Sequence, residues 1–203
     1  MTPPPAVPTA ETAFSHPPTV AAYRGLVRRR QLWLAGFVVA SGTIIVGGEE
    51  LPVADRAIPL FATMLLTAPV LVLMAALALI YTPRTARILR TYPWRAYPCR
   101  YPPRGQRRDF VMAVTVAPGR EVLLHSTPYR CSLEHKRNTH PDTIWFAGDP
   151  EGGGVASPVG GHYPVRVVPT AMRDGQRPPL PPADALAESA GLAKDGRYLR
   201  YWF

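Results

Sequence analysis

Charge is missing from two long stretches of this chain. Leu32–Gly48 (LWLAGFVVASGTIIVGG) runs 17 residues and Ala57–Tyr81 (AIPLFATMLLTAPVLVLMAALALIY) runs 25 without a charged side chain. About 20 apolar residues carry a helix across a bilayer core, so the second run is long enough and the first is at the short limit. A domain of this size cannot cover two helices that are apolar all round, which argues against a buried hairpin in a soluble protein. The same absence weighs against a self-contained two-span pump, channel or transporter, since these use ionisable groups inside the bilayer.

Cysteine is scarce. The 2 cysteines, Cys99 and Cys131, form no C-x2-C pair, which removes the usual zinc-finger frameworks. Lysine is scarcer relative to arginine: among 23 basic residues only Lys136 and Lys194 are lysine. No GK[ST] accompanies any glycine run, no G-x-S-x-G elbow occurs, and there is no internal repeat. The first apolar run also lacks a signal-peptide layout. Thirty-one residues precede it, and no small-x-small cleavage site follows before the second run. It is expected to be a retained anchor.

What is abundant is arginine, in a chain of net charge +9. Arg24, Arg28, Arg29 and Arg30 stand before the first apolar run. Arg84, Arg87, Arg90, Arg95, Arg100, Arg104, Arg107 and Arg108 follow the second. The connecting loop Glu49–Arg56 has three acids and one arginine. Short basic segments stay cytoplasmic, so both termini are expected inside the inner (cell) membrane, with a small acidic loop outside. The arginines are explained by this topology and by contact with anionic lipid headgroups, and nucleic acid is not expected as a partner. Trp33, Tyr81, Tyr92 and Trp94 are placed to sit at headgroup level. Gly36-x-x-x-Ala40 and Thr43-x-x-x-Gly47 set small residues at helical spacing. Such faces suit close packing against the second span or a homo-oligomer contact.

Beyond Trp94 the periodicity changes to two. Asp109–Ala117, Arg120–Ser126, Asp142–Gly148, Gly153–Pro158 and His162–Pro169 read as strands, with Trp94–Tyr101 as a first edge strand because Pro98 cannot donate to a central ladder. Glycines from Gly148 to Gly161 lie between strands with no helix after them, so they are expected to turn the chain and not to cradle phosphate. The fold class expected is a membrane α-helical hairpin of two transmembrane helices plus a small antiparallel β domain, a barrel or curled sheet. The organisation is a disordered Pro-rich tail over 1–23, the hairpin over 24–92, the β domain over 93–169, and a Pro-rich linker, short helix and aromatic C-terminus over 170–203. In the last segment Asp184 is the expected N-cap and Gly196 the helix end.

The most tempting constellation lies in and just before the polar insertion 127–141, with Cys99 further upstream. His125, Cys131, His135 and His140 are soft ligands at short separations, and a metal-binding or redox module is the alternative to a purely interacting domain. Their spacing matches no standard finger, so no metal or cofactor site is assigned. Ser126 beside His125, and Asp142 near His140, are the only companions for hydrolytic chemistry. No catalytic residues are expected. The thiols are expected to be free in a cytoplasmic domain.

The TYPWRAYPCRYPP and WFAGDPEGGGVASPVGG stretches, with the two-span hairpin, resemble actinobacterial two-pass membrane proteins that carry a cytoplasmic β domain with a W-x-A-G-D-P turn. The resemblance covers about residues 24–169. It implies no catalytic residues, since no activity is assigned to such proteins. A looser architectural likeness is to NfeD-like membrane-anchored barrels. The function expected is an accessory or scaffold subunit that presents the β domain to a membrane or cytosolic protein partner.

Overall fold

A computed structural model describes residues 7–8, 10–47, 67, 69–73, 76, 79, 82–103, 111–127, 131, 133–134, 136, 139–170, 185–194 and 197–198. The chain forms two compact units. Residues 25–82 make one; residues 1–24 and 83–203 together make the other.

The second of these is built on a closed six-stranded antiparallel barrel. Its strands are β1 (Arg95–Arg100), β2 (Met112–Ala117), β3 (Arg120–Ser126), β4 (Thr143–Asp149), β5 (Gly153–Pro158) and β6 (Val165–Pro169), in the order β1-β2-β3-β6-β5-β4. Two meanders, β1-β2-β3 and β4-β5-β6, close through β3–β6 and β1–β4. Both closing seams are antiparallel.

β1 is therefore not the edge strand that Pro98 led us to expect. Arg95–Pro98 pairs with β4 and Cys99–Arg100 pairs with β2, so the strand hands over from one neighbour to the other at the proline. Cys99 N–H donates to the Asp142 carbonyl at 2.9 Å, on the β4 side. By alternation the donor that Pro98 lacks would point to the β2 side, where pairing stops at Cys99↔Val114. The missing N–H costs nothing there.

Inside the barrel stand Met112, Val114, Leu124, Ile144, Phe146, Ala156 and Val167, packed with Leu133 from the 127–141 segment. That segment is not merely a solvated insertion, because Leu133 is fully buried. On β4 and β5 the outward residues are buried as well. Trp145, Ala147 and Val155 belong to a separate apolar cluster with Ala13, Ile88, Leu89, Tyr92, Trp94, Ala187, Ala190 and Leu192. The barrel wall is thus apolar on both faces along this ribbon, and three other segments cover its outer side.

One covering segment is helix α2 (Thr82–Thr91), which follows the N-terminal helix α1 (Pro17–Gly47) in chain order. Thr82, Thr85, Ala86 and Leu89 recur at i, i+3, i+4 and i+7 and are buried with Ile88, while Arg84, Arg87 and Arg90 are exposed. The expected interfacial positions of Tyr92 and Trp94 are corrected here. Both are core residues, at 6% and 3% exposure.

The N-terminal segment is the second cover. The expected disorder does not extend through residues 10–23. A 3-10 turn over Ala13–Ser15 leads into α1, and Ala13 is fully buried with its N–H donating to the Tyr92 carbonyl at 2.8 Å. Thr19 is fully buried and accepts the Trp94 indole N–H at 3.1 Å. Its position leaves no room for a side chain on Gly161, where φ is +70° and an added Cβ would run into the Thr19 hydroxyl.

The third cover is α3 (Ala185–Ser189), which is shorter than expected. It ends at Gly191 and not at Gly196, because Gly191 (φ +70°) closes it with Gly191 N–H to Glu188 O at 3.0 Å and Leu192 N–H to Ala187 O at 2.8 Å. Ala187 and Leu192 then pack together in the outer cluster. Beyond it β7 (Ala193–Lys194) and β8 (Arg197–Tyr198) pair with each other. Asp184, Gly196 and the terminal aromatic residues 201–203 lie outside the described residues.

In the 25–82 unit, α1 continues to Gly47, and residues 67, 69–73, 76 and 79 are helical. Among the described residues no helix is long and apolar enough to cross a membrane. The acidic loop and most of the second apolar run lie outside them.

If the N-terminal segment is part of the fold, its buried polar contact has a measurable worth. Thr19→Val keeps the shape and strands the Trp94 indole N–H, which should lower stability by about 1–3 kcal/mol. Gly161→Val should cost a similar amount, roughly 1–3 kcal/mol, through its backbone conformation alone. Denaturant titration followed by tryptophan fluorescence measures both, and a neutral Thr19→Val would show that the Thr19–Trp94 hydrogen bond contributes nothing.

Candidate functional site

The glycine run turns the chain twice. After β4, Gly152 N–H returns to the Asp149 carbonyl and Glu151 N–H to the Asp149 side chain, both at 3.0 Å. After β5, Gly161 N–H reaches the Pro158 carbonyl at 3.1 Å. Strands follow both turns, so no helix N-terminus is offered to an anion. Within the β4–β5 ribbon Gly154 has no space for a Cβ, which would meet the Ala147 carbonyl and the Phe146 ring. These glycines let two strands and a large aromatic ring pack closely.

Among the described residues the His/Cys constellation does not come together as a metal-holding group. His125 and Ser126 are consecutive on β3 and both buried, but consecutive strand residues point to opposite faces, so the pair cannot act on one substrate atom. Ser126 is also engaged: its Oγ accepts the Cys131 N–H at 2.7 Å. The Cys131 thiol points to the Tyr163 hydroxyl at 3.7 Å. His140 is half-buried and its carbonyl accepts the Thr143 N–H at 3.1 Å, opening β4. His135 lies outside the described residues. Among the described residues no group of three His, Cys, Asp or Glu side chains is placed to hold a metal ion.

No family model matches the chain, and neither the curated proteins nor the solved structures supplied a match. The functional reading therefore rests on the molecule's own surfaces.

The polar contacts around residues 127–141 serve to hold that segment down. His162 Nε2 is 3.0 Å from the Lys136 carbonyl, and the Lys136 ammonium lies 5.1 Å from the centre of the Tyr163 ring. Tyr163 N–H in turn donates to Ser157 Oγ at 3.1 Å. Nothing in the spacing of residues singles out Tyr163 or Ser157. Nor does that spacing mark Arg166, a buried β6 residue whose carbonyl accepts the Thr127 N–H at 3.0 Å. His16 has its ring 5.5 Å from Trp145 in an edge-on contact and its Nδ1 3.2 Å from Thr19 Oγ1. Burial lowers its pKa.

Both cysteines are free, Cys99 buried and Cys131 half-buried. Burial pushes the Cys99 thiol up to about 12. A hydrogen bond with the Tyr101 side chain opposes that shift and the Asp142 carboxylate adds to it.

Two surfaces remain that packing does not explain. One is apolar: of nine exposed large hydrophobic residues among the described ones, seven (Leu32, Trp33, Val38, Val39, Val70, Leu71 and Leu73) belong to the 25–82 unit. At roughly 100° per residue the four on α1 point in directions about 0°, 100°, 240° and 340° round its axis, so they do not share one stripe. Gly36 lies on this surface too, with nothing within 4 Å of where its Cβ would be. No described residue packs on the expected small-residue face at that position. The other surface is the arginine face of α2.

The thiols offer a direct check on the barrel. In native protein one thiol, Cys131, should react with a small aromatic disulfide reagent, and Cys99 only after unfolding. An unfolded cysteine ionises near pH 9, so the buried Cys99 keeps a proton that the unfolded chain gives up. Its contribution to stability is complete below that pH and is lost as the pH climbs towards 12. Cys99→Ala should flatten that alkaline loss in a pH series of unfolding midpoints.

Proposed function

We propose that the chain is a two-pass membrane protein, whose 25–82 unit anchors the barrel unit at the cytoplasmic face as an accessory or interaction module. The observation that carries this is the exposed apolar surface of the 25–82 unit. Leaving one Val, Leu or Trp side chain in water forfeits about 1.5–3 kcal/mol. Seven such residues amount to roughly 10–20 kcal/mol, as large as the whole stability of an ordinary domain. A hydrocarbon environment removes that cost. Among the described residues of the barrel unit, by contrast, Leu123 and Leu186 are the only large apolar residues left exposed.

Arg30 Nη1 donates to Thr82 Oγ1 at 2.8 Å. Arg30 stands just before the first apolar run and Thr82 just after the second. Their contact supports an antiparallel hairpin whose two ends lie on one side, the side on which the flanking arginines belong. The barrel's filled interior and closed strand order fit a rigid module recognised from outside. A protein partner, in the membrane or the cytosol, is the class of ligand proposed. The Gly36 face leaves contact between copies of the helical hairpin as a further association.

Thiol labelling in whole cells tests the placement. With a membrane-impermeant reagent, Ala54→Cys should label in intact cells, and Cys131 only after permeabilisation. Cys99 is buried and so reports nothing about sidedness. Labelling of Cys131 in intact cells would put the barrel on the outer side. Release of the protein by alkaline carbonate without detergent would remove the membrane reading altogether.

A further inference from the structure

From Thr82 to Arg108 the chain carries eight arginines and no acidic residue. The fold sorts them. Arg100 on β1 is held by a bidentate pair with Glu121, with Nη2 2.7 Å from Oε2 and Nε 3.1 and 2.9 Å from the two carboxylate oxygens. Arg84, Arg87 and Arg90 are exposed on α2, three residues apart along one face. They cannot turn inward, because the opposite face is fixed in the core by Thr85, Ala86, Ile88 and Leu89. Arg90 is steadied by the Phe14 ring, 5.0 Å from its guanidinium carbon. Arg87 lies beside Gly191, its Nη1 3.1 Å from where a Cβ there would stand. The folded unit thus exposes three arginines along one face of a helix.

The helix's place in the chain says what that face meets. Arg84 is five residues beyond Leu79, the last described helical residue of the second apolar stretch. Even fully extended, five residues span no more than about 18 Å. If that stretch ends in the bilayer, the start of α2 is tethered close to the headgroup layer. Guanidinium forks bind phosphate oxygens well, and each basic side chain near an anionic surface strengthens attachment about fivefold. Resting on the membrane placement proposed above, we infer that the α2 face formed by Arg84, Arg87 and Arg90 binds the phosphates of anionic phospholipids, and so holds the barrel against the leaflet from which the chain emerges.

The test uses the full chain in nanodiscs of phosphatidylcholine alone, or of an equal mixture with phosphatidylglycerol, and follows unfolding of the barrel by tryptophan fluorescence. A lipid bound only by the folded helix raises the midpoint by linkage. The expected result is a midpoint several degrees higher in the anionic discs, with the difference shrinking at high salt. R84Q/R87Q/R90Q should weaken lipid attachment on the order of 100-fold and abolish that difference, whereas R100Q should keep it. Comparing each variant with itself in the two discs cancels any general loss of stability. Should the triple variant fail to fold, R87E alone must reduce the difference.

Equal midpoints for the wild type in both discs would overturn the inference while leaving the anchor intact. So would a triple variant that keeps the full difference. An equal rise with inorganic phosphate or a short DNA duplex in phosphatidylcholine discs would show that the face does not select lipid. Failure of the chain to enter discs at all would overturn the membrane placement and this inference together.

Discussion

The β4–β5 ribbon is apolar on both faces, and the rest of the barrel unit is arranged round that fact. Ile144, Phe146 and Ala156 fill the barrel, while Trp145, Ala147 and Val155 face the other way and are equally buried. Leaving those outward side chains in water would cost several kcal/mol, a large share of a small domain's stability. A closed barrel satisfies its own strand edges but does nothing for its outer wall. Covering that wall requires segments from outside the strands, and the chain draws them from three places: residues 10–24, α2 and α3. Gly161, Thr19 and Trp94 meet where the first of these crosses the turn after β5.

This constraint explains which parts were legible in the sequence. The strands were, because period-two alternation and glycine turns are local signals, and all six were found within a few residues of their observed limits. Pro98 pointed to an edge strand, and β1 is paired on both sides in the closed barrel. What went unrecognised was that a strand can change neighbours at that residue. The cover was not legible. Residues 10–23 hold no apolar period, and their attachment depends on two small side chains, Ala13 and Thr19, whose partners Tyr92 and Trp94 lie about 75 positions away. Proline and threonine enrichment is a real mark of disorder, but a few long-range hydrogen bonds in a buried groove override it. Tyr92 and Trp94 were misplaced at the headgroup level for the same reason, since an aromatic residue near a span end looks alike whether it faces lipid or a barrel wall.

The candidate site fared differently. Four soft ligands close in sequence looked like a possible metal set, yet among the described residues no three such groups are placed to hold an ion. Strand alternation sends His125 and Ser126 to opposite faces, and burial of Leu133 in the core fixes the path of the segment that bears Cys131. Cys131 is then occupied with Ser126 and Tyr163. None of these restraints is visible in residue spacing. The glycine run, which looked most like a site, could be dismissed from sequence because a phosphate loop needs a helix after it.

Arginine shows how one residue type divides by environment. Arg120 and Arg100 on the barrel are matched by Glu151 and Glu121, at 2.6 and 2.7 Å, in exposed pairs that add little to stability. Glu121 is held below its usual pKa by the hydrogen bond from Arg100, and the pair makes that part of the surface nearly neutral. α2 itself carries no acid, and its three arginines all lie on its exposed face. Hydrophobic burial decides its direction: Ile88 and Leu89 must face the barrel wall, and the arginines at the intervening positions are turned outward as a result. The same residues that cover Trp145 and Val155 therefore determine which way the charge points. Stability of the barrel and presentation of the basic surface are two consequences of one amphipathic helix.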